Sequence, residues 1–181
     1  MRTPFAAFIL LALGAAAAAP AALPLRALSD KQDSALPGDF GQLYAALDRA
    51  DLVQYRELFA PAPALAAIRE GKPLPVGTVL TMVVYSVKRD AAGRPIEDAK
   101  GRFIKDERAA VFVMRKQGEG VPQSSAPADG PWRFQLFRPD GQIDRNAKLA
   151  ECVACHRRRR DEDFVFSREE MTAFVPERAV R

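Results

Sequence analysis

Residues 78–89 read TVLTMVVYSVKR and are the clearest strand signal in the sequence. This stretch is rich in β-branched residues and too long to be a turn, so it predicts a long β-strand. Side chains alternate along a strand. The odd-numbered residues from Val79 to Val87 are therefore expected on one face of a sheet, and the even-numbered residues from Leu80 to Lys88 on the other.

Two further strands follow this one in the sequence. Residues 109–115 (AAVFVMR) form an apolar β-prone run, and residues 132–138 (WRFQLFR) alternate apolar and polar side chains. The charged, glycine-containing residues 90–101 predict a hairpin connection, and residues 117–131, with three glycines and three prolines, a surface loop. No internal repeat is evident. An antiparallel sheet is therefore expected.

Helices are expected on both sides of these strands. Residues 40–49 have apolar side chains at helical spacing, residues 52–59 fit either a helix or an extended segment, and residues 64–70 fit one or two helical turns. Residues 146–156 are expected to form a helix near the C-terminus, and Ser167 with Glu170 has the spacing of a capping box that starts a short final helix. The fold class is α+β, an antiparallel sheet with flanking helices.

The first 21 residues have the anatomy of a secretory signal. Arg2 is followed by an apolar stretch and an alanine-rich run that ends in an A-x-A-like site at residues 19–21. The apolar stretch is too short to span a bilayer, so no membrane span is expected after cleavage. We expect export to the periplasm, a linker at residues 22–38 and one domain at residues 39–181.

The charge balance excludes one class of partner. Lys and Arg number 27 against 23 Asp and Glu, giving a net charge of +4. The basic residues alternate with acids and form no aromatic-lined stripe, so nucleic-acid binding is not expected. Arg157 to Arg160 predict a solvated segment, or alternatively one arginine that pairs with an anionic group of a ligand.

The sequence CVACH at residues 152–156 contains both cysteines and the single histidine. This spacing is the haem-attachment pattern of c-type cytochromes, in which two thiols add to the haem vinyl groups and the adjacent imidazole binds iron. On a helix, Cys152, Cys155 and His156 share one face. Zinc would need four ligands, and a disulfide alone would leave His156 without a role. We therefore expect one covalently attached haem c.

A single histidine limits the iron ligands. Bis-histidine ligation is impossible within one chain, and a sixth ligand would have to be Met82, Met114 or Met171. Without a methionine ligand the iron is five-coordinate and open to a small diatomic molecule. Low-polarity residues proposed for the distal pocket are Met82, Phe59 and Phe103, and Arg56 is proposed to contact a haem propionate.

Five pieces of sequence together resemble the cytochrome P-460 and cytochrome c′-beta family. They are residues 74–80 (LPVGTVL), 111–116 (VFVMRK), 132–134 (WRF), 152–156 (CVACH) and 163–166 (DFVF). The resemblance implies an antiparallel β-domain, often dimeric, with one haem c on Cys152 and Cys155. It also implies a proximal His156 and an open distal position.

Members of this family are of two kinds. One kind oxidises hydroxylamine and carries a lysine bonded to the porphyrin; the other lacks that bond, has an apolar distal pocket and binds nitric oxide or carbon monoxide. Counting from Gly77 puts the lysine position at Met82, with Lys72 and Lys88 as the nearest lysines. The second kind is therefore expected.

Two other functions remain open from the sequence. A hydroxylamine or nitric oxide oxidoreductase would need a distal proton acceptor, for which Glu57, Asp106 and Glu107 are candidates. A His/Met electron-transfer cytochrome, with a soluble redox partner, would need one of the methionines at the iron.

Overall fold

A computed structural model describes residues 35–118 and 130–175. Within them lie five strands and three short α-helices. The strands are β1 (Gln42–Arg49), β2 (Gln54–Ala60), β3 (Val79–Val87), β4 (Lys105–Lys116) and β5 (Trp132–Phe137). The helices are α1 (Ala62–Arg69), α2 (Leu149–His156) and α3 (Arg168–Ala173), with a 3₁₀ helix at Arg157–Glu162. The α+β prediction is confirmed. The expected signal, residues 1–21, lies outside the described residues, as does most of the expected linker.

The strands form one antiparallel sheet in the order β1-β2-β3-β4-β5. Each strand pairs with its neighbour in sequence, and β3 lies at the centre. The three strands predicted at residues 78–89, 109–115 and 132–138 correspond to β3, β4 and β5, and the expected helix at residues 64–70 corresponds to α1. Among the described helices, none is long and apolar enough to cross a membrane.

The prediction of a helix at residues 40–49 is wrong. Residues 42–49 form the edge strand β1, and the ambiguous segment before Pro61 forms its partner β2. The register of the pair shifts between Leu43, which faces Phe59, and Ala45, which faces Leu58. Tyr44 is therefore the extra residue of a β-bulge, and the bulge interrupts the period of two that marks a regular strand. Pairing with β2 outweighs the helical preference of the alanines and leucines.

The long connection between β3 and β4 contains a tandem repeat. Residues 89–96 (RDAAGRPI) and 97–104 (EDAKGRFI) share the pattern D-A-x-G-R-x-I, so the expectation that the chain has no internal repeat is wrong. In both repeats the aspartate, Asp90 or Asp98, accepts hydrogen bonds from backbone N–H groups two and four residues later. Arg102 of the second repeat binds Asp48 at 2.7 Å, which ties the connection to β1.

The two faces of the sheet pack differently. One cluster joins strand residues such as Leu80, Trp132 and Phe134 to residues of all three helices. The other consists of Val83, Val111, Val113 and Phe137 on the opposite face. The helices therefore cover one face only, and they cover it incompletely, which leaves a cavity against the middle strands.

Candidate haem site

Helix α2 presents the CVACH motif on one face. Val153 is only 4% exposed and belongs to the cluster that joins the strands to the helices, the main core, so it anchors the helix beside β5. Cys152, Cys155 and His156 lie one turn apart and all three line the cavity. This is the arrangement expected for side chains at positions i, i+3 and i+4. The helix begins at Leu149, a few residues later than the predicted start at residue 146.

His156 is held by three neighbours. Its ring lies 5.0 Å from the Phe134 ring and 5.0 Å from the Phe166 ring, and its Nδ1 lies 2.7 Å from the carbonyl oxygen of Phe164. A carbonyl only accepts hydrogen bonds, so Nδ1 carries the proton and donates. The unprotonated Nε2 is then left to bind a metal.

The protonation state of His156 suits this role. Burial lowers the pKa of His156 below its ordinary value, and the hydrogen bond to Phe164 opposes the shift only in part. The imidazole is therefore neutral near pH 7, which is the form that coordinates iron.

The two cysteines differ in exposure. Cys152 is half-buried and packs against the core, whereas Cys155 is exposed, and both thiols are free. Burial raises the pKa of the Cys152 thiol, so it is protonated at neutral pH. Two free thiols at one cavity could form thioether bonds to a single flat ring.

The cavity has a volume of about 430 Å³. Its lining comes from the CVACH motif, from residues 165–170, and from the inner face of the sheet. Eight apolar sheet residues line it. Two are Leu47 and Val113, and the other six lie opposite one another across the strands: Leu58, Leu80, Met82, Phe112, Met114 and Phe134.

These six sheet residues form two rows across the strands. Met82 stands directly opposite Leu58 on β2 and Phe112 on β4. Met114 stands opposite Leu80 and Phe134 in the second row. Directly opposed residues of neighbouring strands have their side chains in contact range, so each row is a continuous apolar wall.

Two arginines lie at the cavity on the β1–β2 hairpin. Arg56 is half-buried and donates hydrogen bonds of 3.3 and 2.8 Å to Gln54. No carboxylate pairs with it among the described residues. Burial first, and then the neighbouring cation of Arg49, lowers the pKa of Arg56, so an anionic ligand group would be stabilised there. Arg49 also lines the cavity, although it forms an exposed ion pair with Asp51.

A second polar group lies at α3. The Tyr44 hydroxyl and the Ser167 hydroxyl are 2.7 Å apart, and both residues line the cavity together with Glu170. Burial, with a smaller contribution from Glu170, raises the pKa of Tyr44 to about 12. The predicted capping box does not form, because Ser167 bonds Tyr44 and makes no side-chain hydrogen bond to the start of α3.

The structure brings together some of the predicted site residues and not others. Met82 and Arg56 line the cavity with the motif, but Phe59 and Phe103 do not. Phe59 follows the cavity residue Leu58 on β2, so it points to the opposite face, where its ring lies 5.6 Å from that of Phe40. Phe103 belongs to the β3–β4 connection, and its backbone N–H donates to Asp48.

The candidate iron ligands and the candidate proton acceptors also lie partly at the cavity and partly elsewhere. Met82 and Met114 line the cavity, whereas Met171 is fully buried in the main core. Glu57 lies on the opposite face of the sheet, where it accepts hydrogen bonds from Tyr85 and Lys105, and Asp106 and Glu107 are exposed. None of these three acids lines the cavity. Glu170, which the sequence interpretation missed, does so.

The residues present fit a haem bound at this cavity. A neutral histidine with a free Nε2, two free thiols, an apolar wall and an unpaired cation match the iron, vinyl groups, ring and propionates of that group. The described residues contain no group of three or more His, Cys, Asp or Glu side chains that could hold a metal ion.

Comparison with known proteins agrees with this fit. The sequence matches the family model of cytochrome P460 over residues 39–167. The matched range contains all five strands, the CVACH motif and every residue of the cavity lining except Glu170. No curated protein matches the sequence. The chain therefore belongs to the cytochrome P460 family, whose cofactor is a haem.

Proposed function

We propose that the protein is an exported cytochrome that binds nitric oxide or another small neutral diatomic molecule at a single haem c. Cys152 and Cys155 attach the haem and His156 is its proximal ligand. One observation carries the proposal. The cavity that the CVACH motif borders has an apolar wall on the sheet and contains no second histidine.

The motif residues account for attachment and for one axial ligand. A haem held by them supplies an iron that can take a small ligand at its remaining axial position. Arg56 would pair with a propionate, since it is half-buried without a carboxylate partner among the described residues. Arg49 is available for the other propionate if it gives up its exposed pair with Asp51.

The apolar wall determines which ligands are favoured. An anion placed against Leu58, Met82 and Phe112 would lose its hydration without gaining a hydrogen bond, whereas a neutral diatomic molecule loses little. Beside these apolar rows the cavity therefore favours nitric oxide and carbon monoxide over charged ligands.

The test is the absorption spectrum of the purified protein in its ferric and ferrous forms, with and without nitric oxide and carbon monoxide. We expect an intact mass equal to the mature chain plus one haem, a ferrous five-coordinate spectrum and a clear change with both gases. An unchanged ferrous spectrum in the presence of both gases would overturn the proposal.

A His/Met electron-transfer cytochrome is the first competing function. It is favoured by the presence of Met82 and Met114 in the lining. Replacing Met82 and Met114 separately by leucine tests this function, because loss of a methionine ligand converts a six-coordinate spectrum to a five-coordinate one. If the wild type is already five-coordinate, neither replacement changes the coordination.

An oxidoreductase acting on hydroxylamine or nitric oxide is the second competing function. It is favoured by Glu170, the one carboxylate among the described residues that line the cavity. A carboxylate there could accept a proton from a protic substrate. Hydroxylamine-dependent reduction of an electron acceptor that is abolished in Glu170→Gln would support this function. A normal haem c spectrum would exclude a lysine-modified porphyrin, in keeping with Met82 at the expected lysine position.

The cellular setting is part of the proposal. Export depends on the signal at residues 1–21, and cell fractionation of the tagged full-length chain tests it. A homodimer and a soluble redox partner are compatible with this setting, and sedimentation of the purified protein tests the first of them.

A further inference from the structure

We propose that Asp163 is the positioning residue of the proximal histidine. It stabilises a left-handed turn at residues 163 and 164. The carbonyl of Phe164 in this turn accepts a hydrogen bond from Nδ1 of His156. The inference rests on the proposed function in one respect, namely that His156 binds the haem iron.

The carboxylate of Asp163 joins three separate parts of the chain. It accepts hydrogen bonds from Lys116 at the end of β4 (2.5 Å), from the backbone N–H of Leu74 (3.3 Å) and from the indole of Trp132 at the start of β5 (3.3 Å). The side chains of Lys116 and Asp163 are only 11% and 15% exposed. The turn is therefore tied to the sheet by a largely buried ion pair, although it follows directly after an exposed 3₁₀ helix.

The backbone of this turn needs such contacts to hold its conformation. Asp163 has φ +56° and Phe164 has φ +64°, so two successive residues adopt the left-handed conformation. Aspartate tolerates this region, but for a bulky residue such as phenylalanine it is unfavourable. The Phe164 ring is buried against Gly130, where a side chain would collide with it. The ring and the Asp163 carboxylate together hold the strained pair in place.

One atom of the turn, a carbonyl oxygen, lies at the candidate haem site. The Phe164 carbonyl, one residue after Asp163, lies 2.7 Å from Nδ1 of His156. Donation from Nδ1 fixes the tautomer and ring orientation and raises the basicity of Nε2, which strengthens its bond to a metal. Asp163 contacts neither His156 nor the cavity in the described structure, so its influence on the iron would pass through this carbonyl.

The test compares Asp163→Asn with Asp161→Asn in the haem-loaded protein. Asp161 lies two residues earlier and is exposed, and it forms no ion pair or hydrogen bond with the described residues, so this control removes the same charge without touching the turn. In Asp163→Asn we expect three changes. The iron–histidine stretching frequency of the ferrous protein falls, the reduction potential rises, and the Nδ1 proton of the carbon monoxide complex exchanges roughly tenfold faster. Asp161→Asn should match the wild type in all three.

Asp163→Asn leaves Lys116 as a nearly buried charge without its partner, and the variant could fail to accumulate for that reason alone. The double variant Asp163→Asn/Lys116→Met removes both charges and avoids this penalty. It should fold and still show the lower stretching frequency.

The outcomes separate the two proposals. Haem-loaded Asp163→Asn, or the double variant, with wild-type frequency, potential and proton exchange would overturn the role of Asp163 and leave the proposed function standing. A wild type without covalent haem would overturn the proposed function and this inference with it.

Discussion

The two faces of the sheet are made from alternate residues of the same strands, yet they are built for different purposes. On β3 and β4 the half-buried Met82 and Phe112 line the cavity. Their neighbours Val83 and Val111, 2% and 0% exposed, are sealed in the opposite face. Full burial of apolar side chains gives the larger stabilisation. We call these two sides the cavity face and the closed face. The cavity face also carries the core that joins the strands to the helices, but at Met82 and Phe112 it gives up packing in exchange for space.

Polar groups follow the same division. On the closed face Glu57 is saturated by Tyr85 and Lys105. On the cavity face Arg56 and Glu170 border open space without an ion-pair partner among the described residues. Buried polar groups with all their partners rigidify a structure, whereas groups left available at a cavity can bind a ligand. The lesson is that a buried acid such as Glu57 is not by itself a sign of a functional site.

The strongest test of this division removes the attachment chemistry from the cavity face. In Cys152→Ala/Cys155→Ala we expect complete loss of covalent haem, measured by intact mass after acid extraction. The antiparallel sheet should persist in the circular dichroism spectrum, since neither cysteine lies in a strand. Single Cys155→Ala is the control and should keep one thioether bond. Covalent haem in the double variant would contradict the assignment of the motif.

The next test compares two phenylalanines. Phe137→Ala on the closed face should lower the free energy of unfolding by about 3–5 kcal/mol without altering carbon monoxide affinity, because Phe137 is 0% exposed and does not line the cavity. Phe112→Ala on the cavity face should destabilise less and change the affinity. Denaturant titration and gas titration of both variants measure the contrast, and equal effects of the two on ligand affinity would break it.

A smaller effect is expected from the acids. Glu57→Gln should cost roughly 1.5–3 kcal/mol, because it weakens hydrogen bonds that involve a charged group. The haem spectrum and any hydroxylamine activity should not change, since Glu57 lies on the face away from the cavity. Loss of activity in Glu57→Gln but not in Glu170→Gln would reverse our assignment of the two faces.

The smallest effect concerns alkaline stability. Tyr44 keeps its proton to a pKa of about 12 in the folded protein, against an ordinary value of 10.0. Between these pH values the unfolded chain loses the proton while the folded chain retains it, so stability falls as pH rises. Tyr44→Phe should cost about 1 kcal/mol near neutral pH through the lost bond to Ser167 and should remove this part of the alkaline decline. Denaturation from pH 8 to pH 12 measures it, and an unchanged slope would argue against the burial of Tyr44.

Local pattern predicted β3, β4 and β5 well and the edge strand β1 badly. The β-branched run at β3 and the alternation at β5 are strong local signals, whereas β1 is interrupted by a bulge at Tyr44. A bulge is selected by the register of the partner strand, which no local window contains. The spacing of Tyr44 and Leu47 therefore matched that of a helix, although both residues lie in a strand.

The distal residues show the same limit. Met82 was predicted for the distal pocket, and the structure places it in the cavity lining. Its row partners Leu58 and Phe112 become visible only once the register of β2 and β4 is known. Phe59 was chosen one residue away from Leu58, and a shift of one residue along a strand moves a side chain to the other face. Nothing in the sequence indicated that Glu170 lines the cavity, because its place there depends on how α3 packs against β1.

The spacing of Cys152, Cys155 and His156 was enough to predict the chemistry of the candidate haem site, since it lies within a single helical turn. The strands β3, β4 and β5 could also be predicted locally, because their residue pattern is a property of neighbouring residues. Tertiary packing sets which face of the sheet is open and which acid and arginines reach the cavity. It also sets how the Asp163 turn meets His156. These are contacts between residues far apart in the chain, and they follow from strand register and helix packing, which no short segment specifies.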